Sequence, residues 1–151
     1  MKQSVMTAVL VVAVLAMAPA ATSGRKYIVL KRPAASTAPF SEGVLQGDTL
    51  YISGHIGIDP ATGKPGSTPE QEARLVMESF KRTVEAGGMT MDDVVSVTVF
   101  CSDVSHYQAF NDVYRTYFHQ NYPARAFIGS GKLLFDARFE VQGIALKRSG
   151  S

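Results

Sequence analysis

The chain is poor in the residues from which many active sites are built. Its 151 residues include a single cysteine, Cys101, so no disulfide can close within it. That cysteine ends the apolar run 94–100, where a small hydrophobe in a strand is the ordinary reading and a catalytic thiol the exceptional one. Its histidines, His55, His106 and His119, stand at no metal-ligand spacing, and neither HExxH nor CxxC occurs. No metal site is expected. Charge of one sign is lacking too. Lys and Arg number 15 against 13 Asp and Glu, a net +2, and the basic residues are scattered apart from a short Lys147-Arg148 pair. Such a balance does not describe a nucleic-acid surface. No stretch is compositionally disordered, and a chain of this length makes one domain with a real core.

The N-terminus reads differently from the rest. Lys2 supplies a minimal positive start, residues 9–17 are an unbroken apolar run, and Ala18-Pro19-Ala20-Ala21 offers the small residues a signal peptidase accepts. The run is short for a membrane span, and no cysteine follows it to carry a lipid. The expectation is a cleaved signal peptide over residues 1–23, a mature domain over 24–151, and an exported protein, periplasmic or secreted, with no membrane attachment after cleavage.

Along the mature chain, residues 27–31 read as a short strand and 33–39 as an extended loop. Val44-Leu45-Gln46 and residues 49–53 flank Gly47-Asp48, a hairpin signal. Thr68-Pro69-Glu70-Gln71 is a helix start with a capping threonine, proline at the first position and glutamine closing the box. Ala73, Val76, Met77, Phe80 and Val84 recur at helical spacing until Gly87-Gly88. Residues 94–100 are a buried strand. Residues 105–108 again have capping-box form, ahead of a second stripe of Phe110, Val113, Tyr114 and Tyr117. Two strands, 125–130 and 138–146, close the chain. The fold class is α+β: one mixed sheet with two helices on one face. Its other face is expected to expose Val97, Val99 or Phe127, and covering it argues for a homo-oligomer.

Two charges stand out from this frame. Arg125 follows Tyr122-Pro123-Ala124 at the mouth of an apolar strand, and Glu140 lies between Phe139 and Val141. A buried guanidinium needs an anionic partner, and its planar fork suits a carboxylate. Two readings stay open on chemistry alone: the pair binds a ligand, or the two charges satisfy each other or solvent.

The order and spacing of several stretches resemble the Rid (YjgF, reactive intermediate deaminase) family. They are Ala38-Pro39-Phe40-Ser41, residues 50–60, residues 94–103, Phe110-Asn111-Asp112-Val113-Tyr114, Tyr117-Phe118, Tyr122-Pro123-Ala124-Arg125 and Phe139-Glu140-Val141. The resemblance implies a chorismate-mutase-like subunit, a barrel-shaped homotrimer, and ligand clefts between subunits. It implies hydrolysis of enamine and imine intermediates of the 2-aminoacrylate/2-iminopropanoate type to a 2-keto acid and ammonia, without cofactor or metal. By the same resemblance Arg125 grips the substrate carboxylate and Glu140 orients the attacking water and shuttles a proton. Ser53 and Gly54 line the cleft wall, and Asn111 stands at the cleft. Phe40 replaces a frequent tyrosine and Phe127 a frequent cysteine, which bears on substrate preference. The alternative is a non-catalytic trimer that binds small carboxylates in the same cleft.

Overall fold

The structure is a computed structural model that describes residues 24–30, 38–119 and 121–148. The expected signal peptide, 1–23, and most of the loop expected over 33–39 lie outside the described residues. Ten elements follow in order: β1 (Lys26–Ile28), β2 (Gly43–Gln46), β3 (Thr49–Ile56), β4 (Ile58–Asp59), β5 (Lys64–Pro65), α1 (Pro69–Ala86), β6 (Val94–Cys101), α2 (Tyr107–Tyr114), β7 (Ala124–Gly129) and β8 (Phe139–Leu146). The main sheet has the order β1-β2-β3-β8-β6-β7, and β4-β5 is a small separate hairpin. Every neighbouring pair in the main sheet is antiparallel except β6-β7, which is parallel. The mixed sheet with two helices is the expected architecture.

The helices form for legible reasons. Thr68 caps α1 by accepting from the Gln71 amide at 3.2 Å, while the Gln71 side chain reaches back to the Ser67 amide at 2.9 Å. The box is thus closed one residue earlier than the sequence suggests. Ala73, Val76, Met77, Phe80 and Val84 are all fully buried, and the stripe packs on the sheet. Gly143 of β8 is packed by the Ser96 carbonyl and the tip of the Phe80 ring, where a Cβ would sit 2.5 Å from that oxygen and 2.9 Å from the ring. Only glycine leaves room for that approach. At α2 the expected cap is corrected. Asp103, not Ser105, accepts the end-capping bond, from the Ser105 amide at 2.9 Å, and a 3₁₀ turn then leads into the helix.

The expected face assignment is also corrected. Val97 and Val99 point toward the helices and are buried, as is Cys101. Phe127, opposite Val99 in the parallel register, packs edge-on against Tyr107 and Phe110 of α2. A register shift at the start of β6 sets this phase, and the alternating Ser96, Thr98 and Phe100 take the other face. The physical reason is ordinary: Val97, Val99 and Cys101 recur at period two and go under the helices, and the alternating Thr98 and Phe100 fall on the opposite face. The open face still carries Tyr51, Ile128 and Ile144 beside Phe100. It remains a surface in need of cover, on different residues.

Candidate active site

Arg125 and Glu140 lie on opposite faces of the sheet. Arg125 stands on β7, an edge strand, in register with Val97 on the helix side. Glu140 on β8 pairs with Phe100 and Ile56 on the open side. Neither has a partner of opposite charge among the described residues. The reading in which the two merely satisfy each other is excluded within one chain. The sequence-named residues fall into two groups, one around each charge.

The arginine group lies between α2 and the β7 edge. A pocket of about 330 Å³ is lined there by Tyr107, Asn111, Tyr114, Tyr122, Pro123 and Arg125, among others. The guanidinium carbon lies 4.6 Å from the Tyr114 ring centroid, 5.9 Å from that of Tyr107 and 5.8 Å from that of Phe127. Aromatic faces hold the cation in place without spending its hydrogen bonds, which leaves the fork free to bind an anion. Asn111 is 4 % exposed and lines the same pocket. Phe127 serves as one wall of this aromatic seat.

The glutamate group lines a groove of about 690 Å³ on the other side, with Phe40, Ser53, Gly54, Leu134, Phe135 and Glu140 among its walls. Gly54 sits where the β3-β8 register shifts, and a Cβ built on it would land on the Glu140 carboxylate. The glycine therefore lets that carboxylate reach the groove wall. Ser53 is already engaged: its hydroxyl donates to the Ser41 carbonyl at 2.6 Å and its amide to the Glu42 carbonyl at 3.0 Å. Both bonds tie down the segment that carries Phe40. Leu134 and Phe135 are largely exposed at the rim, and Phe135 and Asp136 both adopt left-handed backbone angles, φ 58° and 57°. Two successive non-glycine residues in that region hold a strained turn over the groove.

Glu72 escaped the sequence reading. It is fully buried on α1 and accepts from the Arg138 and Phe139 amides, while the Arg138 guanidinium pairs with it at 2.7 Å. These bonds clamp the start of β8 two residues before Glu140. A glutamate one turn before Val76 on the apolar stripe was the available signal.

Comparison with known proteins shows the family of the chain. The family described as Endoribonuclease L-PSP matches residues 30–147. The chain belongs to the Rid (YjgF) family. It is 36 % identical over 125 residues to a 2-iminobutanoate/2-iminopropanoate deaminase of Capra hircus, covering 82 % of this chain and 90 % of that one. The solved structure of the Escherichia coli YjgF gene product superimposes with a TM-score of 0.75 at 30 % identity, covering 82 % of this chain and 99 % of that one. Escherichia coli TdcF with bound serine gives 0.74 at 30 % identity over 82 % of this chain and all of its own. These Rid relatives support a deaminase-like enzyme that acts on a small molecule. They also correct the reading as a secreted protein. The relatives are matched over nearly their whole length, and the family model begins at residue 30, so the likeness that carries function carries no export with it. The description as secreted is withdrawn. No helix among the described residues is long and apolar enough to cross a membrane.

Proposed function

We propose that the protein hydrolyses small 2-imino acids, of the 2-aminoacrylate/2-iminopropanoate type, to 2-keto acids and ammonia. The supporting observation is that Arg125 and Glu140 are both without a partner of opposite charge among the described residues and each lines a pocket with further Rid-motif residues. Since one chain holds these half-sites on opposite faces of its sheet, a complete cleft requires Arg125 of one subunit and Glu140 of its neighbour. A cyclic homotrimer closes such an arrangement on itself, and it covers the apolar open face.

In that cleft the Arg125 fork binds the substrate carboxylate with two parallel hydrogen bonds and fixes the adjacent imine carbon. Glu140 takes a proton from a water as the water oxygen bonds to that carbon and delivers it to the imine nitrogen, giving a carbinolamine. Glu140 then takes the carbinolamine hydroxyl proton and passes it to the nitrogen as the carbon–nitrogen bond breaks. A keto acid and ammonia leave, and the carboxylate is restored. Positioning supplies much of the acceleration, because the substrate brings its own electrophile.

The test generates a panel of 2-imino acids with an amino-acid oxidase and traps the survivors with semicarbazide. Wild type lowers the trapped imine, and Arg125→Ala loses about a hundredfold in kcat/KM. The second reading, a carboxylate receptor without turnover, is favoured by Phe40, which puts an apolar ring beside Glu140 where a hydroxyl could have served. Binding of 2-keto acids with no loss of imine would establish that reading instead.

A further inference from the structure

The Tyr114 ring helps seat Arg125, but its hydroxyl is left without a task. Tyr114 stands on α2 one turn after Asn111, and both line the pocket that holds Arg125. Its ring packs against Phe118 and Tyr122, with centroids 4.8 and 6.4 Å away, under the Arg125 guanidinium. The residue is 3 % exposed. Its hydroxyl is the one fully buried side-chain oxygen or nitrogen without a hydrogen-bond partner among the described residues. Packing alone does not call for that oxygen, since phenylalanine fills the same space without burying an unpaired donor.

Tyr114 and Arg125 line the same pocket, and the phenol lies within electrostatic reach of the Arg125 charge. Burial pushes the phenol up to about 12, and the Arg125 charge acts on it in the opposite direction, next in weight after burial. The group therefore stays a proton donor throughout the neutral range. A carboxylate offers about four lone-pair directions, and a guanidinium fork uses two of them. The remaining directions need donors if the carboxylate is to leave water.

We propose that the Tyr114 hydroxyl is a second anchor for the substrate carboxylate, donating to the oxygen lone pairs that the Arg125 fork leaves open. The proposal rests on the carboxylate reading of Arg125 given above. It makes the pocket selective for carboxylates over uncharged groups of the same shape. The bond is present in bound substrate and in the transition state alike, so it acts on binding and not on turnover.

The experiment is Tyr114→Phe in the full chain, with pyruvate binding followed by calorimetry beside wild type and Arg125→Ala. Assembly size and thermal midpoint are recorded for each. The expected result is a pyruvate Kd raised about tenfold in Tyr114→Phe, as for loss of a hydrogen bond to a charged group. KM for the imine rises in step while kcat stays within about twofold. The thermal midpoint holds or rises, because the unpaired hydroxyl is gone. Equal pyruvate affinity in the variant and wild type overturns the proposal and leaves Arg125 as sole anchor. Weaker binding that comes with a smaller assembly also overturns it, assigning the hydroxyl to a contact between subunits. Wild type that binds no pyruvate overturns this proposal and the carboxylate reading together.

Discussion

Gly54 shows how much a single missing side chain contributes. The resemblance put Gly54 on the cleft wall, and the structure shows what its missing side chain admits, the Glu140 carboxylate itself. The blocking atom sits at the far end of a flexible side chain, so Gly54→Ala is expected to shift the carboxylate and spare the fold. Its kcat should fall about a hundredfold, as for a misplacement on the order of 1 Å, while the unfolding midpoint moves little. A parallel loss of stability and activity would mean that the glycine serves the bulge and not the carboxylate. Other residues were legible to different depths. Arg125 and Glu140 could be named from chain position because charges flanked by apolar strand residues are costly without a purpose. Tyr114 could not, since a tyrosine on an apolar helical stripe is indistinguishable from core until its hydroxyl is found unpaired.

Among the elements, periodicity settled existence and order, whereas the phase of each face depended on contacts the sequence does not contain. The α1 stripe and the β2-β3 hairpin follow directly from spacing and turn residues. The orientation of β6 does not: its valines could face either layer until the register shift at its start is known. The join between β3 and α1 adds a consequence for pH. His55 is buried on β3, with Nδ1 3.1 Å from the Ser79 hydroxyl and Nε2 3.2 Å from that of Thr83, both on α1. Burial lowers its pKa from 6.5 to about 4, with Arg82 also lowering it and Glu42 opposing. The folded chain thus keeps His55 neutral where the unfolded chain protonates it. Its contribution is fully present above pH 6.5 and is lost as pH falls toward 4, up to about 3 kcal/mol over that window. Urea midpoints at pH 7 and pH 4.5 should therefore fall apart in wild type and move closer together in His55→Asn. An unchanged pH dependence in that variant would move the effect to other groups.

At the scale of the whole molecule, the sequence called for cover over an apolar sheet face, and the structure makes a stronger demand. The two charges assigned to one reaction cannot meet inside one chain, since β7 presents Arg125 on the helix side and β8 presents Glu140 on the open side. No reading of periodicity could have shown this, because it depends on the parallel pairing of β6 with β7 and the antiparallel pairing of β6 with β8 across 40 residues of chain order. Mixed assembly tests the consequence directly. Arg125→Ala and Glu140→Gln subunits are each strongly impaired alone, because every cleft then lacks one of its two groups. When the two are denatured together in equal amounts and refolded, a cleft that draws each group from a different subunit regains both in about a quarter of random pairings in a cyclic trimer. Recovery near that fraction of wild-type imine hydrolysis is expected, with the two variants unfolded and refolded separately as the control. If the co-refolded mixture stays as inactive as its parts while forming assemblies of the same size, both groups come from one subunit, and the arrangement across the interface is wrong.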